Sequence, residues 1–135
     1  MQFLLNLNQY SDWGLLILRV AIGAIFFVHG FQKFAMWKMQ PSEQMSKEMI
    51  NLMRFLSIVE PLGALAVLTG FLTQFAAIGL GIIMVGAIKM KSILWHKKFT
   101  GDGGWEFDLI ILAAMVVLLF SGAGSFALDR ILFWL

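Results

Sequence analysis

Cysteine is absent from this chain of 135 residues, and charged residues are scarce. The lack of cysteine excludes disulfides, thiol redox chemistry and iron–sulfur ligation by the chain itself, and it leaves the compartment open. Asp, Glu, Lys and Arg together make up 13% of the residues, against about a quarter in an average soluble domain. The formal net charge of +2 comes without a basic patch interleaved with aromatic residues, so no nucleic-acid partner is expected.

Apolar residues dominate instead: they make up 60% of the chain, and the mean hydropathy is +0.85. They are concentrated in four stretches, at about residues 13–34, 55–73, 75–95 and 105–124. Each stretch is close to the roughly 20 residues that a helix needs to cross a hydrocarbon core. Every tryptophan lies at the end of a stretch, where its ring suits the membrane interface: Trp13, Trp37, Trp95, Trp105 and Trp134.

We therefore predict a single all-α domain over residues 1–135, an integral membrane four-helix bundle. Only a few residues around Thr73 separate the second and third stretches, which predicts an antiparallel helical hairpin. In the 35–54 connection, methionines and a leucine recur at helical spacing, which predicts an amphipathic interfacial helix between spans one and two. The 96–104 connection is polar and rich in glycine, as is typical of a loop.

The basic residues predict the orientation of the chain. Eight of them lie in the 33–54 and 89–104 connections, which a four-span topology places on one side of the membrane. The other side holds only Arg130 besides the buried Arg19. By the positive-inside rule, the two connections lie in the cytoplasm and both termini lie outside. The expected location is the cell inner membrane, crossed several times.

A short pattern, G-x6-G-x2-K, occurs at residues 23–33 and again at residues 79–89. Each occurrence is followed by a stretch that begins near a glutamate, Glu60 or Glu106. Because the first and third stretches cross the membrane in the same direction, the pattern either indicates a duplicated helix pair or is a chance match of three positions in a glycine-rich membrane chain.

Ionisable residues at the ends of the stretches form the candidate site. A charge at mid-helix costs roughly 2.5–3.5 kcal/mol on membrane insertion, so such residues usually pair, reach the interface or serve a function. The four-span topology brings the ends of the first and third stretches to the same surface as the starts of the second and fourth. The expected pocket residues at that surface are Glu60, His29, Lys33, Lys89, Glu106 and Asp108.

Glu60 is the pocket residue with the strongest sequence signal. It precedes Pro61, which biases it away from helical geometry and removes a backbone donor. An acid at such a kink is more typical of a pocket wall than of a helix cap. A purely structural role stays open, because the helix dipole favours cations at helix C-termini and anions at N-termini.

Arg19 is the most deeply placed charge, roughly 9 Å inside the first stretch at 1.5 Å per residue. The acid expected at a similar depth is Asp129, which follows the fourth stretch. We predict a structural ion pair between Arg19 and Asp129 that ties the first span to the last. The two histidines, His29 and His96, lack the ligand spacing of a metal motif, so no metal site is expected.

The run LRVAIGAIFFVHGFQKF resembles the opening helix of the DoxX family of small bacterial and archaeal membrane proteins. The run IVEPLGALAVLTGFLTQFAAIGLGIIMVGAI resembles its second helix and the turn into the third, with Gln74 where Arg is more usual. The runs GDGGWEFDLIIL and FSGAGSFALD resemble the start and the end of its last helix, with Ala123 in place of the usual Pro and Ala127 in place of Ser. The resemblance covers about residues 15–130.

This resemblance implies a four-helix membrane bundle, and some members are associated with thiosulfate:quinone oxidoreductase as a small membrane subunit. We accordingly expect a small subunit of a quinone-linked redox system without an intrinsic cofactor, in which a charged pocket binds a quinone, a lipid headgroup or a small anion. Whether the chain itself catalyses a reaction stays open. Besides the bilayer, the expected partners are other subunits of a complex or further copies of the chain. The alternatives are a non-catalytic anchor or assembly subunit, and a small transporter or proton relay.

Overall fold

The computed structural model describes residues 6–43 and 45–133, so Trp134 and both ends of the predicted 1–135 domain lie outside the described residues. Apart from one isolated bridge, the regular structure of this part is entirely helical, which confirms the all-α class. The helices are α1 (Ser11–Lys33), α2 (Lys47–Thr69), α3 (Thr73–Lys89), α4 (Glu106–Ser121) and the short α5 (Leu128–Phe133). Shorter turns adjoin them: 3₁₀ turns at Asn6–Tyr10 and Phe34–Lys38 flank α1, and a π turn at Met90–Leu94 extends α3.

Among the described residues, three helical segments are long and apolar enough to cross a membrane: Asn6–Lys38, Lys47–Thr69 and Thr73–Leu94. They match the first three predicted stretches, and they make the chain a multi-pass membrane protein. The fourth stretch forms a shorter helix, since α4 has 16 residues. It ends at Ser121 because Gly122, with φ +70° and ψ −163°, takes the chain out of the helix.

The connection between α1 and α2 differs from the interfacial helix predicted over residues 35–54. α2 begins at Lys47 because Ser46 caps it in an extended conformation, with its Oγ accepting a hydrogen bond of 3.2 Å from the Met49 amide. Residues 47–54 are therefore the first two turns of α2 itself. The helix then continues without a break through Pro61.

The four longer helices pack chiefly as two pairs, α1 with α2 and α3 with α4. Their facing sides form one buried core, which includes Ile22, Phe26, Ala64, Val67, Leu80, Met84, Met115 and Leu118. The outward sides carry large apolar side chains, among which Ile17, Phe75, Ile82 and Phe120 are 67–82% exposed. Helices whose core-facing and outward-facing sides are both apolar belong in lipid, because exposing the outward sides to water would be unfavourable.

Two glycines in α1 let α2 approach closely. A Cβ atom on Gly30 would lie 2.4 Å from Cδ of Pro61, and one on Gly23 would lie 2.3 Å from Cγ of Leu68. Small residues at such crossings are the usual means by which membrane helices reach van der Waals contact. The Gly30–Pro61 contact immediately follows Glu60 in the chain, so this close approach also positions the Glu60 carboxylate.

The buried faces of α1 and α3 repeat with a period of 58 residues. The buried positions Arg19, Ile22, Gly23 and Phe26 of α1 correspond to Ala77, Leu80, Gly81 and Met84 of α3. The sequence pattern predicted a different register, in which Lys89 is the counterpart of Lys33. With the period set by the buried faces, the counterpart of Lys33 is Lys91.

Candidate functional site

The predicted cluster of ionisable residues separates into two ion pairs. In the first, Nζ of Lys33, the last residue of α1, donates a hydrogen bond to Oε2 of Glu60 in α2. Glu60 is 2% exposed, whereas the Lys33 side chain keeps 22% of its surface accessible. The carboxylate is thus closed off inside the helix pair, and the ammonium lies between it and the surroundings.

The second ion pair joins α3 to α4 in the same way. Nζ of Lys91 donates to Oδ2 of Asp108 at 2.6 Å and lies 3.5 Å from the carbonyl oxygen of Gly104. Lys91 belongs to the π turn Met90–Leu94, which ends with a hydrogen bond of 3.0 Å from the Trp95 amide to the Met90 carbonyl. A π turn inserts an extra residue per turn and so reorients the side chains that follow it.

Both pairs lie at the same end of the bundle. The ring of His29, one turn before Lys33, lies 6.3 Å from the ring of Phe107, which precedes Asp108. The end of α1 therefore adjoins the start of α4. We call the group Lys33, Glu60, Lys91 and Asp108 the loop-face site.

Three of the predicted pocket residues lie outside the loop-face site. His29 and Lys89 are exposed, and Glu106 is half-buried. The backbone amide of Glu106 donates to the Phe99 carbonyl at 3.0 Å, so this residue helps to close the loop before α4. Within the described residues, none of the three takes part in an ion pair.

A hydrogen-bonded group beside the loop-face site has no strong sequence signal. Ser57 is fully buried one turn before Glu60, and its hydroxyl accepts a hydrogen bond of 3.0 Å from Nε1 of Trp37 while donating to the Arg54 carbonyl at 2.6 Å. The Arg54 guanidinium in turn donates to the carbonyls of Met36 and Met39, both at 3.0 Å. The segment after α1 is thereby held against α2 next to Glu60. The only hint in the sequence is that Ser57 and Glu60 share a helix face.

Arg19 occupies the opposite end of the bundle, and its partners are backbone carbonyls. Nε donates to Val67 at 2.8 Å and Nη2 to Leu68 at 2.8 Å, while Nη1 donates to Ala123 at 2.8 Å and Phe126 at 3.0 Å. The guanidinium, in a residue 1% exposed, thus joins the C-terminus of α2 to the loop after α4. Gly70 makes room for it, because a Cβ atom there would lie 2.7 Å from Nη2.

Asp129 lies near Arg19 without bonding to it, which corrects the predicted direct ion pair. Its carboxylate accepts hydrogen bonds from the amides of Leu72 at 2.6 Å and Thr73 at 3.0 Å, at the start of α3. The reason is geometric and electrostatic: the free amides of a helix N-terminus bind a carboxylate, and the free carbonyls of a C-terminus bind a guanidinium. The two side chains attract each other only through space.

Comparison with known proteins supports the same assignment as the sequence motifs. A family model described as DoxX matches residues 14–97. "Putative oxidoreductase CatD" of Bacillus subtilis (strain 168) is 31% identical over 131 residues, which cover 94% of this chain and 92% of that protein. "Uncharacterized membrane protein Rv3486" of Mycobacterium tuberculosis is 32% identical over 126 residues, which cover 84% of this chain and 77% of that protein.

An uncharacterized protein of Haemophilus influenzae is 25% identical over 127 residues, covering 93% of this chain and 95% of that protein. No solved structure matches the chain. The family model covers more than half of the chain, and the Bacillus subtilis relative aligns over nearly all of it. This chain is a member of the DoxX family.

Proposed function

We propose that this protein is a small membrane subunit of a quinone-linked redox system, and that its loop-face site binds the headgroup of a quinone. The observation that carries the proposal is the buried carboxylate of Glu60, which is 2% exposed and held by the partly accessible Lys33 ammonium. Intramembrane acids are costly and usually functional. The name of the Bacillus subtilis relative, which describes an oxidoreductase, supports the redox context.

The donors and acceptors of the loop-face site suit a quinone. Each lysine ammonium carries three N–H donors, of which Lys33 commits one to Glu60. Lys91 donates to Asp108 and to the Gly104 carbonyl, which leaves it one N–H donor. The two lysine side chains are 22% and 25% accessible, and a quinone carbonyl oxygen is an acceptor that their unused donors can bind. A quinone supplies two-electron, two-proton chemistry, and Glu60 is placed to hold one of those protons. A lipid headgroup or a small anion is bound by the same donors if no quinone is present.

We extend the proposal to the topology. α4 crosses the membrane as the fourth span, because the start of α1 meets the loop after α4: the rings of Trp13 and Phe126 lie 4.6 Å apart. Both termini then share one side, the 96–104 loop lies in the cytoplasm, and the protein resides in the inner membrane. Residues 34–46, held against α2 by Arg54, lie in the interface.

A second candidate function is that of a non-catalytic anchor or assembly subunit. This function is favoured because the buried charges already have partners within the chain. Glu60 and Asp108 each have a lysine partner, and Arg19 has four carbonyl partners. A third candidate function is that of a proton relay or small transporter, and the buried position of Glu60 is its sole support. In each of these cases, the partners are other subunits of a complex or further copies of the chain.

The deciding experiment measures quinone that remains with the purified protein. The protein is extracted in mild detergent, and bound quinone is quantified by solvent extraction and chromatography for the parent, Glu60→Gln and Glu106→Gln. We expect a stoichiometric amount with the parent and Glu106→Gln and a loss with Glu60→Gln. A parent protein without quinone that copurifies with other subunits supports the anchor function, and ion flux in vesicles supports the transporter.

A further inference from the structure

A polar cleft opens at the end of the bundle opposite the loop-face site. It has a volume of about 410 Å³ and lies where α3 begins and α4 ends. That volume falls in the range of about 300–1,000 Å³ found for small-molecule sites. We call it the end cleft. Its wall includes Asp12, Thr73, Gln74, Phe120, Asp129 and Arg130.

The charged groups of the end cleft retain capacity for a ligand. The Asp12 carboxylate accepts hydrogen bonds from Ser125, including one from its hydroxyl to Oδ2, and its two oxygens have further lone pairs for a ligand. Each carboxylate oxygen of Asp129 takes one backbone amide and keeps a further lone pair. The exposed Arg130 donates from Nη1 to Ser125 at 3.1 Å, which leaves its other N–H groups available.

A buried hydroxyl in the same wall lacks a partner. Thr73 is 1% exposed, and its Oγ1 is without a hydrogen bond in the part of the chain that the structure describes. Buried side-chain polar atoms are nearly always hydrogen-bonded, so each exception calls for an explanation. Thr73 is among the residues that line the end cleft, so this unpaired hydroxyl belongs to the wall of the cleft.

A second, apolar groove of about 310 Å³ lies further along the outer side of α3 and α4. Its start is one turn from the cleft, since Ala77 follows Thr73 on α3 and Leu119 precedes Phe120 on α4. Gly81 deepens the groove, because a glycine leaves the space that a side chain would fill. The groove is lined only by apolar residues, among them Ala77, Gly81, Val85, Leu112, Met115 and Leu119.

We propose that the end cleft and the groove together bind one aminophospholipid, a lipid with a primary ammonium and a phosphate in its headgroup. Asp12 and Asp129 bind the ammonium, Arg130 binds the phosphate, and an acyl chain lies in the groove. Charge complementarity selects this occupant: two carboxylates beside one guanidinium match a zwitterion. A neutral quinone headgroup offers these charged groups no group of opposite charge, and a soluble zwitterion leaves the groove empty.

The first arm of the test compares lipids on the unmodified chain. The full-length protein in detergent is titrated with phosphatidylethanolamine, phosphatidylcholine or phosphatidylglycerol, and binding is measured by native mass spectrometry. We expect phosphatidylethanolamine to bind at least about tenfold more tightly, because the other two headgroups lack ammonium N–H donors for a charged hydrogen bond. Equal binding of the three lipids overturns the proposal, as does tighter binding of phosphatidylglycerol or of a quinone.

The second arm uses matched variants. Asp12→Asn and Arg130→Gln should each weaken phosphatidylethanolamine binding, whereas Asp102→Asn, in the loop at the other end, should leave it unchanged. In the groove, Gly81→Leu should weaken binding, whereas Gly79→Leu should not, because Gly79 lies on the same helix with no atom near its Cβ position. Unchanged binding in folded Asp12→Asn and Gly81→Leu proteins overturns the headgroup and acyl assignments.

A third arm separates a lipid from a soluble ligand. Free phosphoethanolamine carries the same charges without acyl chains, so we expect it to displace the lipid only weakly. Displacement at equal concentration would show that the groove contributes nothing and would overturn the lipid assignment. The end cleft and the loop-face site share no residues, so this result and the quinone measurement are independent of each other.

Discussion

Arg19 and Asp129 bind the two ends of the turn that connects α2 to α3. Arg19 binds the carbonyls of Val67 and Leu68, where α2 ends, and Asp129 binds the amides of Leu72 and Thr73, where α3 begins. The positive side chain therefore neutralises the negative end of one helix dipole, and the negative side chain neutralises the positive end of the next. The hairpin is fixed by two side chains that act in parallel.

The first prediction concerns the stability of this turn. Arg19→Met removes a guanidinium that donates to four carbonyls through two buried and two partly buried hydrogen bonds, and we expect it to lower the free energy of unfolding by about 2–4 kcal/mol. Asp129→Asn keeps one acceptor oxygen and should cost less, about 1 kcal/mol, as for loss of a helix cap. Thermal unfolding of the two variants in detergent, followed by circular dichroism, measures both effects.

The double variant tests the parallel arrangement. A direct ion pair predicts that Arg19→Met with Asp129→Asn recovers part of the loss, because no lone charge remains. Two side chains bound to separate backbone groups predict that the losses roughly add. Recovery to the level of Asp129→Asn alone would contradict the geometry described above.

The second prediction concerns the buried pair of the loop-face site. Lys33→Met leaves the Glu60 carboxylate buried without a cation, and we expect a loss of about 3–5 kcal/mol. The combination of Lys33→Met with Glu60→Leu should recover most of that stability, since apolar replacement of a whole buried pair is often neutral. Unfolding of the single and double variants in detergent measures the coupling.

The pair at α3 and α4 provides a comparison. Lys91→Met should cost less than Lys33→Met, because the side chain of Asp108 is 10% exposed and that of Glu60 is 2% exposed. A larger loss at Lys91 would show that burial does not decide which pair matters more.

The third prediction concerns the close approach of α1 and α2. Gly30→Ala places a methyl group 2.4 Å from the Pro61 ring, which cannot move without moving α2. We expect a loss of about 1–3 kcal/mol from the forced separation of the helices. Gly86→Ala is the matched control, because Gly86 lies in α3 with no atom near its Cβ position and should gain stability from the better helix former. Equal unfolding midpoints for both variants would be inconsistent with this packing.

The fourth prediction concerns topology, and it uses the absence of cysteine from the parent chain. Single cysteines at Asn8, Lys98 and Leu128 can be labelled in whole cells with a maleimide that does not cross membranes. Four spans with cytoplasmic connections predict labelling at Asn8 and Leu128 and protection at Lys98. Labelling at only one of Asn8 and Leu128 would rule out four spans. Labelling at Lys98 alone would show that the orientation is the opposite one, and it would still agree with four spans.

The positions of the long apolar helices follow largely from composition and spacing. Glu60, Lys33 and Asp108 were predictable because charges are rare in apolar stretches. Lys91 was missed in favour of Lys89, since two lysines 200° apart on an ideal helix cannot be ranked without the π turn that reorients one of them. Such local departures from helical periodicity depend on tertiary packing.

The partner of Arg19 could not be predicted for a different reason. A sequence indicates ion-pair partners only among side chains. The groups that bind Arg19 are instead backbone carbonyls at a helix end and in a loop. Every residue carries a carbonyl, so the sequence does not mark those that lie free. The hydrogen bond between Trp37 and Ser57 was missed likewise, because it depends on how the segment after α1 folds back on α2.

The two ion pairs have a consequence for how the ribosome and the insertion machinery build the protein. Lys33 and Glu60 lie on consecutive helices, so α1 and α2 can enter the membrane together with these two charges paired, and α3 and α4 can do so afterwards through Lys91 and Asp108. Arg19 is different, because two of its acceptors lie beyond α4. Its charge is fully satisfied only after α4 and the loop that follows it have been translated, so the fourth long helix must be in place before the guanidinium has all its partners.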